Sequence, residues 1–334
     1  MGGAASRKPA TVFDVARESG VSTATVSRVF TGKTDRVAPE TLERVRSAAR
    51  RLGYTPSEIG RSLRLATTRI VVLIVPDATN DFCADVAISL EQALKTAGLS
   101  MVLCNTGEDA GRQDELIDDA EGLRPHAIIL LGAIDTPRLR ALARSKTRVV
   151  FVNRRPSPEV KAPFVGIDNE AAGRMVARHF LERGHAGFAI IHGSRRYSAS
   201  RGRLTGFLAC LAQAGVPPES VIQIESELTM EAGYRHGQEL LDRASPPRAV
   251  FCGNDMIAYG IHRAATERGV RVPDDLAICG FDDNRVNAWL APWLTTVHIP
   301  ALDFGPAVLS LLQGGEASAG EVILPFSLTL RHST

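Results

Sequence analysis

From Ile70 onward, short β-branched runs alternate with amphipathic stretches, and this alternation constrains the fold more than any other feature. The segments between the runs carry apolar residues three or four positions apart, with Gly98 placed to end the first of those helices. Buried strands that alternate with helices are typical of parallel sheets joined by crossover helices. The runs are IVVLIV (70–75), MVLC (101–104), AIILL (127–131), VVFV (149–152), FAII (188–191), AVFC (249–252) and LAICGF (276–281).

The alternation stops near Val165 and resumes after Phe188, which predicts two similar lobes with a cleft between them rather than one wide sheet. The expected fold class for this part is an α/β body with two parallel, doubly wound sheets. The helix around 302–312 and a last strand-like stretch from Val322 to Leu330 come after the second lobe's strands. We expect this part of the chain to recross to the first lobe.

The predicted boundaries are a small all-α domain at 11–57, a hinge or linker at 58–68, and a body at 69–334. Within the body the first lobe is expected to take residues 69–166 and 298–325. The second lobe is expected to take residues 167–297 and 326–334. The segment 58–68 is too polar for a core and too short for a domain, which favours a linker.

Residues 11–57 predict two short helices joined by a tight turn, followed by a third helix. Thr11 can cap the first helix with Asp14 three positions on, Gly20 can supply the turn, and Ser22 can cap the second helix. The residues expected to pack the helices together are Val15, Ala16, Val21, Val26 and Val29. The third helix follows Pro39 with an apolar stripe at Leu42, Val45, Ala49 and Leu52, and Gly53 ends it.

The net charge of +2 conceals an uneven distribution. Residues 1–68 hold 12 Lys/Arg and 6 Asp/Glu, whereas the remaining 266 residues are mildly acidic. A basic head on an acidic body is typical of nucleic-acid binding, although charge alone is equally compatible with a solvated basic face.

In a helix-turn-helix the second helix enters the major groove of DNA and its N-terminal residues reach the base edges. Arg28 on that helix can form a bidentate pair with guanine, worth roughly 1–3 kcal/mol of discrimination. The alternative is an ordinary three-helix bundle in which Arg28 is merely solvated. The residues predicted to contact DNA here are Thr11, Ser22, Thr23, Ala24, Thr25, Ser27 and Arg28.

With RVAPETLERVRSAARRLGYTPSEIGRSLR (36–64), this head closely resembles the headpiece and hinge of the lactose/galactose repressor family. The resemblance continues in order through nearly the whole chain. The further motifs are IVVLIVPDATNDF (70–82), VGIDNEAAG (165–173), RGRLTGF (201–207), GNDMIAYG (253–260), RVPDDLAICGFDD (271–283) and PWLTTVHIP (292–300).

The resemblance implies that the hinge becomes a short helix on operator DNA, with Leu63 wedged into the minor groove between Arg61 and Arg64. Without the resemblance, we would interpret Leu63 as a linker residue that packs on the body. Gly60 stands where the family usually has alanine, and glycine costs a helix about 1 kcal/mol. We therefore expect this hinge helix to depend more heavily on DNA for its order.

A polar ligand between two lobes needs hydroxyl-pairing groups at strand ends and an apolar surface to lie against. Strand ends suggest Asp77, Asn80 and Asp282, with Phe82 nearby. The resemblance implies an effector-binding role for Arg203, polar contacts from Asn254 and Asp282, and an aromatic platform from Phe82. Asn153-Arg154 stands where the family often has an aspartate-arginine pair, so we expect different hydrogen bonding there. Positions that vary with effector fall at Tyr197, Ala199 and Leu228.

Each of these residues also has a plainer interpretation. Asp282 with Asp283 could cap a turn, Asn254 could cap the helix that begins near Asp255, and Arg203 could pair with an acidic neighbour. The five cysteines are scattered singly, as small core residues are, and no spacing suggests a metal or cofactor site. The eight histidines show no catalytic arrangement.

We therefore expect a cytoplasmic transcriptional regulator that is not an enzyme and has neither a membrane segment nor a cofactor. The resemblance implies a homodimer on a pseudo-palindromic operator and a sugar-like effector between the lobes. No heptad tail follows the last strand, which predicts a dimer rather than a tetramer. The alternatives are an exported solute-binding protein, which the basic head contradicts, and a sugar-converting enzyme.

Overall fold

The computed structural model describes residues 10–30, 34–35, 37–54, 68–314 and 320–334, which belong to two compact units divided after Thr68. The first unit holds α1 (Val12–Ser19), α2 (Thr23–Phe30) and α3 (Pro39–Leu52). A capping box starts α1, since the amide N–H of Thr11 donates to Asp14 Oδ2 at 2.9 Å and Asp14 N–H donates back to the Thr11 hydroxyl. Gly20, at φ 63°, ends α1 in the left-handed conformation that glycine tolerates.

The three helices enclose a small apolar core. Val15, Val26, Val45 and Ala48 are fully buried, and the rings of Phe30 and Tyr54 meet edge-to-face with centroids 5.6 Å apart. The predicted stripe on α3 is shifted, because Ala48 is buried whereas Leu52 is 37% exposed. The first unit is thus a helix-turn-helix domain with its own core, as the helical spacing predicts.

The second unit holds two sheets with helices between the strands. The strands are β1 (Ile70–Val75), β2 (Ser100–Asn105), β3 (Ala127–Leu131), β4 (Val149–Val152), β5 (Phe164–Gly166), β6 (Phe188–His192), β7 (Ile222–Glu225), β8 (Ala249–Cys252), β9 (Ala277–Asp282), β10 (Thr295–His298), β11 (Glu321–Ile323) and β12 (Ser327–Thr329). The helices are α4 (Asp81–Thr96), α5 (Ala110–Gly122), α6 (Pro137–Ala143), α7 (Asn169–Glu182), α8 (Ser198–Gln213), α9 (Met230–Leu241), α10 (Asp255–Glu267), α11 (Asn287–Leu290) and α12 (Phe304–Gln313). Short 3₁₀ turns lie at Pro218–Ser220 and Ala301–Asp303.

The first sheet has the order β11-β5-β4-β3-β1-β2, with every paired strand parallel. The second sheet has the order β12-β10-β9-β8-β6-β7 and is parallel except for β12. We call the parts of the chain around them the first lobe and the second lobe. In each sheet the strand order reverses once, between β1 and β3 and between β6 and β8. The carboxyl ends of the strands open a crevice at such a reversal.

Both faces of the first sheet are covered, which explains its continuous apolar runs. Alternate residues of β1 point to opposite faces, so Val71 and Leu73 pack with α4 while Val72 and Ile74 pack with the helices α5 and α6. The second sheet is likewise buried against α9 and α10 on one face. The α/β class predicted from the sequence is confirmed.

The chain passes between the sheets after β5, after β10 and after β11. The helix α12 packs on α4 of the first lobe. The strand-like stretch from Val322 to Leu330 forms two strands rather than one, with β11 in the first sheet and β12 in the second. Pro325 lies between them and has no N–H to donate to a strand ladder.

Candidate functional site

The surface of α2 agrees with a DNA-reading helix. Val26 and Val29 face the core, while Ala24 and Arg28, four residues apart and therefore on one face, are exposed. Thr23, Thr25 and Ser27 are half-buried along the flank of that face.

Two of the predicted DNA contacts also have local roles. The Ser22 hydroxyl accepts from the Thr25 N–H at 3.2 Å and caps α2, while the Thr11 hydroxyl donates to Asp14 Oδ2 at 2.7 Å. Both residues are exposed. The hinge residues Arg61, Leu63 and Arg64 lie outside the described residues.

A cavity of about 710 Å³ lies between the lobes of the second unit. Its walls come from the segments after β1, β2, β3 and β4 of the first sheet and from those after β6, β7, β8 and β9 of the second. The lining therefore includes both strand-order reversals, where the crevices of an open α/β sheet are expected. All nine residues predicted to contact an effector line it: Asp77, Asn80, Phe82, Arg154, Tyr197, Arg203, Leu228, Asn254 and Asp282.

Arg203 and Asp282 form the buried polar part of the cavity. The Arg203 guanidinium lies over the Phe281 ring, 3.5 Å from its centroid, and donates to the Gly253 carbonyl at 2.6 Å and to Asn169 Oδ1 at 2.9 Å. Burial raises the pKa of Asp282 to about 8, while the positive charge of Arg203 opposes that rise. Burial also lowers the pKa of Arg203 to about 10. A carboxyl group that is buried away from water is suited to form hydrogen bonds with a polar ligand.

Asp282 also stands out by its backbone. It has φ 106°, a conformation that non-glycine residues rarely adopt, and Asp283 beside it has φ 55°. Asp283 carries the turn-stabilising contacts, since it accepts from Arg331 at 2.8 Å and from Thr329 at 3.1 Å. The capping role considered for this pair thus falls to Asp283, and Asp282 faces the cavity.

Other predicted residues stabilise the protein as well as lining the cavity. Asn254 Oδ1 accepts from Ile257 N–H at 3.1 Å and caps α10, while its amide donates to the Leu228 carbonyl at 3.1 Å. Asn80 caps α4 in the same way, through Cys83 N–H at 3.2 Å. Asp77 accepts from the hydroxyl of Thr79 at 2.7 Å. The plainer interpretation of Asn254 therefore applies together with its place at the cavity.

Arg154 is held from several directions. Its two terminal nitrogens donate to the two carboxylate oxygens of Glu108, each at 2.9 Å, and one also reaches the Gly132 carbonyl at 3.4 Å. The Tyr197 ring of the second lobe lies against the guanidinium, 3.9 Å from its centroid. Burial and the negative charge of Glu108 raise the pKa of Tyr197. Arg154 and Tyr197 thus connect the two lobes at the cavity wall.

The apolar part of the lining includes Phe82 and Leu228. Phe82 is 6% exposed and meets Phe304 edge-to-face with ring centroids 5.8 Å apart, so its ring is held in place. Leu228 is half-buried, and its methyl groups lie beside the Gly193 and Gly253 backbones.

Sequence reasoning missed several polar residues of the lining. Glu225 accepts from the Ser194 hydroxyl at 3.0 Å, Glu227 pairs with Arg235 at 3.3 Å, and His236 contacts Ser226 at 3.0 Å. The VIQIE run at 221–225 was the available signal, because its alternation of apolar and polar residues is typical of the strand that β7 proves to be.

The rest of the described chain shows two further facts. Within residues 10–30, 34–35, 37–54, 68–314 and 320–334, no three His, Cys, Asp or Glu side chains come together as a metal site requires. None of the helices in those same ranges is long and apolar enough to cross a membrane.

Known families match both units. The model described as "Bacterial regulatory proteins, lacI family" matches residues 11–57, and "Periplasmic binding protein-like domain" matches residues 177–334. The chain is 30% identical to the HTH-type transcriptional regulator DegA of Bacillus subtilis, over 97% of this chain and 98% of that protein. It is 32% identical to the HTH-type transcriptional repressor PurR of Pectobacterium carotovorum, over 91% and 89%.

Solved structures of transcriptional regulators superpose on nearly the whole chain. A lac repressor dimer bound to operator and the anti-inducer ONPF superposes with a TM-score of 0.87 at 24% identity, covering 98% of this chain and 99% of that one. The transcriptional regulator CelR in complex with cellobiose superposes with a TM-score of 0.72 at 28% identity, covering 97% and 100%.

A helix-turn-helix unit joined to a two-lobed α/β body with an interlobe cavity defines a DNA-binding transcription regulator. The chain belongs to the lacI family of bacterial regulatory proteins, as its sequence resemblance indicates. Regulators of this family bind operator DNA and small-molecule effectors and act as dimers, and they are not enzymes.

Proposed function

We propose that the chain represses transcription by binding a pseudo-palindromic operator as a homodimer, and that a sugar-like effector in the interlobe cavity changes its operator affinity. The observation that carries this proposal is the cavity itself. It joins the buried Arg203 and Asp282 to an apolar surface at Phe82, in a chain whose other unit is a helix-turn-helix.

The DNA side of the proposal rests on α2. Its exposed face offers Arg28 for a guanine and Ala24 for a thymine methyl, with Thr23, Thr25 and Ser27 beside them for base or phosphate contacts. Thr11 and Ser22, exposed at the starts of α1 and α2, lie where phosphate contacts are expected. The roles of Arg61, Leu63 and Arg64 as hinge contacts belong to the same proposal.

The ligand side rests on the chemistry of the lining. Sugar hydroxyls donate and accept together, and Arg203, Asn254 and Asp282 offer a donor, an amide and an acceptor. Phe82 offers an aromatic face for the C–H side of a sugar ring. The CelR structure holds cellobiose in the same fold, which supports a carbohydrate here. The head, the hinge and the two lobes are proposed to take the boundaries predicted from the sequence.

The DNA side is tested by Arg28→Ala. An operator is first selected from a random oligonucleotide pool with the parent protein, and fluorescence anisotropy at a fixed salt concentration then measures affinity. We expect Arg28→Ala to weaken binding by roughly 1–3 kcal/mol, because a bidentate base contact is lost. The control is Arg112→Ala, which removes an exposed arginine of α5 in the body. Equal affinity of Arg28→Ala and parent for that operator would refute the assignment of α2.

A further inference from the structure

We infer that the interlobe cavity accepts an uncharged polyhydroxy ligand and rejects phosphorylated sugars, and that Glu108 sets this selectivity by occupying Arg154. The inference rests on the proposed function, because it specifies the ligand class of that cavity. It follows from what the arginines of the lining already contact and from the balance of charge around them.

Three arginines are among the described residues of the lining, and each has partners within the protein. Arg154 is the most fully engaged. Glu108 takes both of its terminal nitrogens in a two-point pair, and Tyr197 covers the guanidinium face. Two-point pairing is also how arginine grips a phosphate, so Glu108 occupies the geometry that a phosphate would need.

Arg203 and Arg235 are engaged too. Arg203 gives two of its N–H groups to Asn169 and to the Gly253 carbonyl. Arg235 pairs with Glu227 at 3.3 Å. A ligand hydroxyl can share the N–H groups of these two arginines with their present partners. An uncharged oxygen does not repel a neighbouring carboxylate, so the carboxylate can stay in place.

The charges of the lining also disfavour a phosphorylated ligand. Four carboxylates among the described lining residues face its three arginines: Asp77, Glu108, Glu225 and Glu227. The fifth, Asp282, carries little charge at neutral pH, because burial raises its pKa to about 8. A sugar phosphate would bring close to two further negative charges next to these carboxylates. Repulsion between unit charges a few ångströms apart in a protein exceeds what one added hydrogen bond returns. Carboxylates are, in contrast, good acceptors for sugar hydroxyls.

The N-terminus of α8 lies at the cavity, and helix N-termini attract anions. Tyr197 precedes α8 and makes no side-chain cap. Two carboxylates border this N-terminus: Glu108 lies against Tyr197, and Glu225 accepts from the Ser194 hydroxyl while it pairs with Arg195 at 3.9 Å. A neutral hydroxyl can use its N–H groups without meeting that repulsion.

Glu108→Gln tests the inference, because glutamine keeps the size of the side chain and removes the charge that occupies Arg154. Isothermal titration calorimetry of the full chain compares matched pairs: glucose with glucose 6-phosphate, trehalose with trehalose 6-phosphate, and sucrose with sucrose 6-phosphate. Cellobiose and maltose extend the neutral set. The control is Glu115→Gln, which removes the same charge from an exposed pair with Arg112 on α5.

We expect the parent and Glu115→Gln to bind at least one neutral sugar and to bind the phosphorylated partner at least about tenfold more weakly, since added negative charge is repelled. In Glu108→Gln the preference should narrow by about tenfold or more, because Arg154 is released. Tighter binding of a phosphorylated sugar by the parent would overturn the inference, as would binding of no neutral sugar or an unchanged preference in Glu108→Gln.

The same samples separate this inference from the proposed function. If a phosphorylated sugar binds and alters operator affinity, the regulator is correct and the ligand class is wrong. If a neutral sugar binds with the expected preference but no ligand alters operator affinity, the ligand class is correct and the proposed regulation is wrong.

Discussion

Arg203 and Asp282 are two buried side chains that form the polar part of the cavity. Each has its pKa moved towards the neutral form by burial, and each opposes the shift of the other. Burying these two groups costs stability, because each loses its hydration. The titration of this pair therefore makes the stability of the body depend on pH.

Asp282→Asn should gain stability relative to the parent as pH rises from 4 to 8. An unfolded aspartate titrates near pH ~4, whereas Asp282 in the folded protein titrates at about 8. Between these values the folded state holds a proton that the unfolded state has lost, so the free energy of unfolding falls as pH rises. Asparagine does not titrate, so the Asp282→Asn variant does not lose this part of its free energy of unfolding as pH rises.

Urea unfolding of the ligand-free protein at pH 5 and pH 8 measures the difference. Asp119→Asn, an exposed change on α5, serves as the control and should show no widening gap. A stability difference between Asp282→Asn and the parent that is the same at both pH values would contradict this reading of Asp282.

The residues that could be predicted are those whose identity alone suggests a ligand contact at a strand end or matches a family motif. Asp77, Asn80, Arg203, Asn254 and Asp282 are of this kind, and all of them line the cavity. Glu108 could not be found in this way. Its importance comes from a partner 46 residues away, and pairing across that distance is a property of the fold.

At the level of elements, close helix contacts position the cavity residues. In α8, a Cβ on Gly206 would lie 1.9 Å from the Glu170 carbonyl oxygen of α7, and a Cβ on Gly173 would lie 2.1 Å from the Arg203 carbonyl oxygen. The two helices therefore approach each other closely only because these positions are glycine. Arg203 lies one turn from Gly206, so this contact also fixes where its side chain begins.

Gly206→Ala should push α7 and α8 apart. Overpacking of this kind costs about 1–3 kcal/mol, and the shift of Arg203 should also weaken sugar binding in calorimetry. Gly122→Ala is the control, since nothing lies within 4 Å of a Cβ there. It should be neutral or slightly stabilising, because alanine is the better helix former. Equal urea stability of the two variants would contradict the close-contact account.

Sequence patterns found the buried strands more easily than the others. The runs at β1, β3 and β4 of the first sheet and at β8 of the second are continuous and apolar because both faces of these strands are buried. The edge strand β7 is half-exposed, and the strands β11 and β12 have three residues each. These strands carry too few apolar residues to stand out, and only the pairing of the sheet defines them. The edge strand β2 is also largely exposed, but its MVLC run made it predictable.

At the scale of the whole molecule, the proposed regulation requires the two lobes of the body to respond to a ligand between them. Contacts cross from lobe to lobe beside the cavity, where Arg285 pairs with the buried Asp85 and the Arg155 N–H donates to the Ser198 hydroxyl at 2.7 Å. A ligand that prefers one lobe arrangement shifts the population towards it, and operator affinity changes only by that difference in preference.

The most direct test of this account is the operator affinity of the full chain with and without a sugar that it binds in calorimetry. Fluorescence anisotropy compares the parent, Arg203→Ala and Arg201→Ala, the last being an exposed change on the same helix. We predict that the sugar changes operator affinity by about fivefold or more in the parent and in Arg201→Ala, as allosteric coupling usually does. Arg203→Ala should bind operator like the sugar-free parent at every sugar concentration. An equal response to sugar in all three proteins, or operator binding in the parent that saturating sugar leaves unchanged, would contradict the account.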